Sequence, residues 1–254
     1  LCVPVTNQLI EFLGWRETYR VLGLILCALA VIVFVLPWRK LQADTTPQSE
    51  VGRFLGGRKD GHLRAALRTK TFWLLFMIMF ITAVAMYLVG PQLVAYLVSV
   101  GFDSTVASLA FSINGFLTVF GIAGTGWLAT HFGMKRVATV SYAMSITAFL
   151  FLICLSMNPV MILLVLAILP LGLSQGARGP IVSVLVSRAF SGQGLGAVYG
   201  AMTMGVGLGG MSGTLLSGVF YDMTGGYILS YCVSVVCALT GVGLFWTIQE
   251  SKNQ

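Results

Sequence analysis

Long uninterrupted apolar runs dominate the chain and are separated by short polar segments. Seven of these runs reach the roughly 20 residues that an α-helix needs to cross a hydrocarbon core about 30 Å thick. They cover Tyr19–Trp38, Phe72–Val100, Val106–Thr130, Val137–Met157, Val160–Val186, Leu195–Tyr221 and Tyr227–Ile248. Membrane strands would show short segments of alternating polarity, and lipid offers no partner to unpaired backbone groups. The pattern therefore predicts an all-α polytopic membrane protein.

The composition supports the same conclusion. Of the 254 residues, 57% are hydrophobic and 9% are charged, whereas a soluble domain carries about 25% charged residues. A chain with only 15 basic and 8 acidic side chains is unable to cover a water-facing surface of this size. Disorder is excluded as well, because the apolar content is far too high. We therefore expect an integral, multi-pass membrane protein.

The basic residues are concentrated in alternate loops between the predicted helices. The largest group lies between Arg39 and Lys70, and the later loops on the same side contain Lys135, Arg136, Arg188 and Lys252. Twelve of the 15 basic residues thus lie on one side, which the positive-inside rule assigns to the cytoplasm. The net charge of +7 therefore indicates membrane orientation rather than a nucleic-acid partner, and the C-terminus is predicted to be cytoplasmic.

These features divide the chain into three parts. Residues 1–38 hold the end of one helix and a complete second helix, residues 39–70 form a basic cytoplasmic loop, and residues 71–254 form a bundle of six helices. The chain opens at Leu1 in a run that is already apolar, without the basic stretch that starts a signal peptide. We therefore expect a fragment whose first helix begins upstream.

Three short motifs lie next to the predicted helices. The sequence GWLATHFGMKR runs from Gly126 to Arg136, Gly-Trp-Arg stands at Gly14–Arg16, and YDMTGGY occupies Tyr221–Tyr227. All three resemble motifs of the major facilitator superfamily. The positions that match its cytoplasmic signature are Gly126, Leu128, Ala129, Gly133, Lys135 and Arg136, whereas Thr130 and His131 replace an Asp and an Arg.

The resemblance implies a twelve-helix transport fold. Residues 71–254 would be its C-terminal six-helix bundle, built as a 3+3 inverted repeat and preceded by one further transmembrane helix, so the missing N-terminal half is an expected partner. The implied function is secondary active or facilitative transport of a small solute across the plasma or inner membrane by alternating access. The resemblance implies neither enzymatic activity nor a cofactor.

Two further motifs narrow the resemblance. Gly101-Phe-Asp-Ser followed by Ala107, and Ala177-Arg-Gly-Pro180, are similar to the monocarboxylate and oxalate/formate antiporter branch. That branch implies a small organic anion, such as a monocarboxylate or dicarboxylate, as the substrate. Its characterised members place a substrate-binding Arg in the eighth helix, whereas this chain has no charged residue between Val106 and Thr130.

Arg20 stands at the mouth of the first predicted span, so Arg178 is the one charged residue in the interior of a span, and such residues are functional candidates by default. A guanidinium that faces a central cavity matches a carboxylate bidentately. Arg178 lies roughly 7–8 Å from the membrane midplane at 1.5 Å per residue. At that depth two structural interpretations compete with substrate binding. The side chain either extends to the cytoplasmic edge or bonds to carbonyls that Pro180 leaves free.

Several uncharged polar residues are further candidates for substrate binding. Gln175 lies one turn before Arg178, and Tyr87, Gln92 and Tyr96 flank the Gly90-Pro91 interruption of the second span. Interrupted membrane helices often form binding sites, although a simple kink with interfacial tyrosines gives the same pattern. Asn114 is a candidate on the third span, where it would otherwise bridge two helices.

Small residues recur every four positions on the sixth predicted span. One series comprises Gly205, Gly209, Gly213 and Ser217, and another comprises Gly192, Gly196 and Gly200. Because lipid provides no hydrophobic force between helices, close approach through small residues is a main source of association. The series predict helix packing, or a smooth face along which a helix slides during transport.

Other functions are weighed by the residues they need. An enzyme needs a nucleophile and base or a metal cluster. The only histidines in the sequence are His62 and His131, and they form no metal-binding motif. Catalytic and metal sites are therefore not predicted. A transport-fold sensor or receptor, and a transporter of a neutral or drug-like solute, remain alternatives. Residues 71–254 contain no carboxylate within a span, so this bundle offers no proton relay.

The topology is testable by labelling. A cysteine placed between Arg39 and Lys70 should react only from the cytoplasm, because this segment carries the largest group of basic residues. Labelling of that cysteine in intact cells by an impermeant thiol reagent would contradict the predicted orientation.

Overall fold

A computed structural model describes residues 2–35, 59–190 and 195–250, and all regular structure in these ranges is helical. The helices are α1 (Cys2–Val35), α2 (Lys59–Leu67), α3 (Lys70–Tyr87), α4 (Leu93–Ser99), α5 (Ser104–Phe132), α6 (Met134–Met157), α7 (Met161–Ala189), α8 (Leu195–Thr224) and α9 (Ile228–Glu250). The last five coincide with predicted spans to within one helical turn. Most of the predicted loop 39–70 lies outside the described residues, and its final part forms α2 and the start of α3.

Five helices in the described part of the chain are long and apolar enough to cross a membrane. They are Lys70–Tyr87, Ser104–Phe132, Met134–Met157, Met161–Ser187 and Ile228–Thr247. The helix α8 has 30 residues, but its many glycines lower its hydropathy. The helix α1 carries Arg16, Glu17 and Arg20 near its middle. For α1 and α8 a membrane crossing stays a prediction.

The predicted second span is broken, as its Gly90-Pro91 pair indicates. The helix α3 ends at Tyr87, α4 begins at Leu93, and turns join them. Proline provides no N–H for helical bonding, which favours a break at this point. By contrast, α7 remains helical through both Pro170 and Pro180.

Two glycines interrupt neighbouring helices with nearly the same backbone geometry. Within α1, Gly14 has φ 78° and ψ 160°, and Gly133 between α5 and α6 has φ 81° and ψ 147°. Only glycine adopts this region without a steric penalty from Cβ. The break at Gly14 separates the opening residues of the chain from the predicted span that starts at Tyr19.

The helix contacts repeat with the symmetry expected of a 3+3 inverted repeat. The helices α3, α5 and α6 correspond to α7, α8 and α9. The pairing of α5 with α7 has its counterpart in the pairing of α8 with α3, and the pairing of α6 with α7 corresponds to that of α9 with α3. The helix α1 contacts α5. This arrangement is the one that the resemblance to the major facilitator superfamily implies.

The predicted glycine series packs α8 against α3. A Cβ on Gly209 would lie 2.4 Å from the carbonyl oxygen of Phe80, and a Cβ on Gly213 would lie 2.8 Å from that of Val84. Gly205 meets the carbonyl oxygen of Phe76 in the same way at 3.1 Å. One turn further, Ser217 Oγ donates to Leu88 O at 2.9 Å. The two backbones therefore touch along four successive turns.

A second close contact joins α7 to α5. A Cβ on Gly176 would lie 2.1 Å from Thr118 O, and one on Gly121 would lie 2.3 Å from Leu173 O. Gly172 is equally constrained by Asn114 O at 2.7 Å. By contrast, a Cβ on Gly196 or Gly200 would meet nothing within 4 Å, so that series does not pack within the bundle; Gly192 lies outside the described residues.

Two buried apolar clusters fill the ends of the bundle. One contains Leu88, Leu152 and Leu171, and the other contains Phe72, Ile181 and Phe245. The second cluster lies toward the basic end of the bundle, which we define by the exposed or half-exposed residues Arg64, Arg68, Lys70, Lys135 and Arg136.

The close contact of α8 with α3 is testable with a matched pair of substitutions. Gly209→Ala should lower the free energy of unfolding by about 1–3 kcal/mol relative to Gly207→Ala, since overpacking costs that much. Gly207 lies on the same helix but has nothing within 4 Å of its Cβ position, so both variants gain equal helix propensity. Unfolding of the purified protein in mixed micelles measures the difference, and equal stability of the two variants would contradict the packing.

Candidate functional site

A cavity of about 630 Å³ opens between the six long helices α3 and α5–α9. One part of its lining is polar and comprises Thr82, Tyr87, Asn114, Thr118, Ser141, Tyr142, Gln175, Arg178, Tyr199 and Thr203. The rest is mainly apolar and includes Ile78, Met79, Met86, Phe111, Ile181, Val182, Val206 and Phe245. Cavities of this volume are in the range that holds a small molecule.

Arg178 points into the bundle and lines this cavity. It is 9% exposed, and its Nη2 donates to Ser145 Oγ at 2.5 Å. Ser145 Oγ in turn donates to Ser174 Oγ at 2.8 Å, so hydroxyl groups of α6 and α7 fix one end of the guanidinium. Of the three placements considered from the sequence, the structure has the one that faces the cavity.

The aromatic ring of Tyr142 packs against the guanidinium of Arg178. The Cζ atom of Arg178 lies 4.8 Å from the centroid of the Tyr142 ring, a cation–π distance. The Tyr142 hydroxyl and Thr82 Oγ1 are hydrogen-bonded at 2.7 Å. Gly241 of α9 makes room for the ring, because a Cβ there would lie 2.9 Å from Tyr142 Cε1. The guanidinium of Arg178 is thus positioned by Ser145 and Tyr142, and the Tyr142 ring is itself held by its neighbours.

The guanidinium nevertheless keeps unused donors and an uncompensated charge. Its Nε and Nη1 atoms are buried without a hydrogen-bond partner, although a guanidinium carries five N–H donors. The one ion pair within the described ranges joins Arg20 to Glu17 at 2.6 Å, so no described carboxylate neutralises Arg178. Among the described residues, no three His, Cys, Asp or Glu side chains group as a metal site does.

Three of the other predicted residues lie at the same cavity. Gln175, Tyr87 and Asn114 all line it. The Asn114 side chain is 5% exposed, and its Oδ1 has no hydrogen-bond partner. The Tyr87 ring packs over α8, since a Cβ on Gly210 would lie 3.3 Å from its Cδ2 atom.

The remaining two predicted binding residues lie away from the cavity lining. Tyr96 is buried in the apolar cluster that contains Leu88, Leu152 and Leu171. Its hydroxyl donates to Leu152 O at 2.5 Å, and its ring packs edge-on against that of Tyr231 at 4.9 Å between centroids. Gln92 precedes α4 and has a buried Oε1 without a partner. We therefore leave Tyr96 and Gln92 out of the candidate site.

Sequence reasoning missed the residues that hold Arg178. Tyr142, Ser145 and Thr82 stand in apolar runs, where isolated hydroxyl groups are common and give little signal. The one available sign was the recurrence of Ser141, Tyr142 and Ser145 at helical spacing on α6. That recurrence places all three on one side of the helix.

The cytoplasmic signature residues lie at the basic end. The Lys135 Nζ atom is 4.0 Å from the centroid of the Trp246 ring on α9, and Trp246 Nε1 donates to Thr139 Oγ1 at 3.3 Å. Arg136 and Gly126 are exposed. The signature's Gly133 provides the positive φ of the helix connection, and Lys135 links α6 to α9.

A helical bundle with an inverted repeat around a central cavity is the architecture of many transmembrane solute carriers. The chain matches the family model of the Major Facilitator Superfamily over residues 1–168 and again over residues 75–254, and it belongs to that superfamily. Overlapping matches are expected where a family is built from related repeats. A comparison with curated proteins found no match.

Membership of this superfamily establishes the general function of the chain. The chain is an integral, multi-pass membrane protein of a family of transporters rather than enzymes, and its function is the movement of a solute across a lipid bilayer. The cavity is lined by helices of both repeats, and transporters built from such repeats typically bind their substrates at the repeat interface.

The positioning of Arg178 is testable by deleting one hydroxyl group. Ser145→Ala should lower the free energy of unfolding by about 1–3 kcal/mol, because it removes the acceptor of a buried, charged donor. Thr147→Ala is the control, since Thr147 lies exposed on the same helix and its hydroxyl donates to Ala143 O. If both variants unfold alike, Ser145 does not hold the guanidinium.

Proposed function

We propose that this carrier transports a small organic anion by alternating access, with Arg178 as the group that binds the anionic part of the substrate. The observation that carries the proposal is the buried guanidinium with Nε and Nη1 unpaired at the cavity. A carboxylate satisfies two N–H donors of a guanidinium at once.

Electrostatics favour an anion over a neutral solute at this position. An isolated charge inside a low-dielectric bundle costs several kcal/mol unless it is paired. Ser145 and Tyr142 supply an oxygen acceptor and a ring face, but neither carries a negative charge. An entering carboxylate therefore gains a strong partner, whereas a neutral solute leaves the charge uncompensated.

The cavity lining favours an anion with an apolar body. Gln175 and Asn114 offer hydrogen-bonding groups on the polar side, and Phe111, Ile181 and Val206 line the cavity with apolar surface. A mono- or dicarboxylate of modest size fits this division of polar and apolar surface, which supports the monocarboxylate-like substrate class.

Exchange is the transport mode that this site favours. No carboxylate lies within the described spans of the six-helix bundle, so these helices provide no acidic proton relay. A carrier without substrate would have to reorient with the buried charge of Arg178 uncompensated. This costs more free energy than reorientation with Arg178 paired to a bound anion. Antiport of one organic anion against another avoids the empty step.

The proposed orientation places the basic end in the cytoplasm of a cell membrane. Arg64, Arg68, Lys70, Lys135 and Arg136 lie at that end, and positive charges are retained on the cytoplasmic side. The C-terminal end of α9 lies there as well, because Lys135 contacts Trp246.

A neutral or drug-like solute is the second candidate. The observation in its favour is the mainly apolar lining, with Met79, Met86 and Phe245 among its members. Such a substrate would use the apolar part of the cavity and leave Arg178 with a structural role in holding α6 to α7.

Replacing Arg178 by Lys separates these two candidates. Arg178→Lys keeps the positive charge but loses the planar donor fork. We expect the KM for uptake of an organic anion to rise about tenfold or more, since hydrogen bonds to charged groups contribute about 1.5–3 kcal/mol. Uptake of a radiolabelled carboxylate into proteoliposomes that contain the full-length carrier measures the change.

Two comparisons make the result decisive. Arg64→Lys is the matched control, because Arg64 is exposed at the basic end, lies outside the cavity and is not part of the cytoplasmic signature. The amount of protein inserted in the membrane should be equal for both variants. Normal uptake kinetics in Arg178→Lys would remove Arg178 from the binding site.

A further inference from the structure

A second opening lies on the outside of the bundle, at its basic end. This groove has a volume of about 660 Å³ and runs between the start of α3 and the end of α9. It shares no lining residue with the central cavity. The groove is therefore a separate feature, which solute transport does not explain.

The mouth of the groove carries two positive charges. Arg68 and Lys70 both line it and are both exposed, and none of the described residues that line it is acidic. Within the described ranges neither side chain forms an ion pair, because the single ion pair there joins Arg20 and Glu17. The mouth is thus suited to a phosphate group.

An indole ring lies at this mouth, where we expect the surface of the membrane. Trp73 lines the groove, and its Nε1 donates to Leu67 O at 3.0 Å. Tryptophan is enriched where lipid headgroups meet the hydrocarbon, because its ring is apolar and its N–H is polar. The hydrogen bond holds the ring between the charged mouth and the apolar wall.

Below Trp73 the wall of the groove is apolar. It continues along α3 through Met77 to Ile81 and is closed on the α9 side by Leu244 and Thr240, whose hydroxyl donates to Val236 O of its own helix. From Lys70 to Ile81 the helix rises about 16 Å at 1.5 Å per residue, which is the depth of one leaflet of a ~30 Å core. The wall therefore has the length and polarity that an acyl chain requires.

We propose that this groove binds one anionic phospholipid from the leaflet at the basic end. The phosphate lies between Arg68 and Lys70, and one acyl chain follows Met77 and Ile81 toward the bilayer centre. Basic grooves between transmembrane helices on the cytoplasmic side are suited to anionic headgroups. The bound lipid bridges α3 and α9, which belong to opposite units of the inverted repeat.

The test uses the purified full chain in detergent and native mass spectrometry of bound lipid. Phosphatidylglycerol is titrated against phosphatidylcholine with the same acyl chains. The wild type should bind phosphatidylglycerol more tightly, and the double variant Arg68→Gln/Lys70→Gln should weaken that binding about 25-fold, at about fivefold per cation. Binding of phosphatidylcholine should be unchanged.

The control removes two charges from the same end but outside the groove. Arg64→Gln/Arg136→Gln changes the net charge equally and should leave phosphatidylglycerol binding unaltered. If both double variants lost the same affinity for phosphatidylglycerol, the effect would come from general surface charge, and the proposed site would be wrong. Equal binding of the two lipids by the wild type would overturn it as well.

A steric variant tests the acyl part of the site. Met77→Trp fills the groove with both cations intact and should weaken phosphatidylglycerol binding, whereas Met77→Leu should retain it. Soluble glycerol phosphate should fail to compete at concentrations at which the lipid binds. Full competition by glycerol phosphate, or unchanged binding by a folded Met77→Trp variant, would show that no acyl chain occupies the groove.

Discussion

The arrangement of the cavity depends on one buried positive charge in a lipid-embedded bundle. Arg178 receives an acceptor from Ser145 and a ring face from Tyr142, yet its Nε and Nη1 remain without partners. A structural arginine at this depth would be expected to pair with a carboxylate, because an uncompensated charge is costly. The residues around Arg178 hold it in place without neutralising it. This combination is what a binding group for an anion needs.

Glycine contacts determine where that charge lies. Gly209 brings α8 against α3, and Gly176 brings α7 against α5, with backbone atoms in contact in both cases. The two contacts are counterparts in the inverted repeat, so they constrain the two sides of the cavity alike. Because small residues allow close approach without interlocking side chains, the same contacts are compatible with the relative motion of helices that alternating access requires.

The sequence was sufficient to predict the long helices, the break at Gly90-Pro91 and the packing of the Gly205 series, but it placed the short helix α2 (Lys59–Leu67) in a loop. It also singled out Arg178, because a charge within an apolar run stands out. Helical periodicity shows which residues share a face, but not which neighbour covers it. For this reason Gly200 appeared equivalent to Gly209 although its Cβ position is open, and Tyr96 appeared to be a binding residue although it bonds Leu152 O in the core. Tyr142 and Ser145 were missed because their roles arise only from contacts with other helices.

The most direct test of the anion site is a binding measurement on the purified carrier with an isosteric pair of ligands. Calorimetry would compare a small carboxylate with its uncharged primary amide, which has nearly the same size and shape. Binding by an unpaired guanidinium predicts at least about a tenfold tighter Kd for the carboxylate, and this preference should vanish in Arg178→Met. Equal affinity for the two ligands, or a preference that persists without Arg178, would contradict the account.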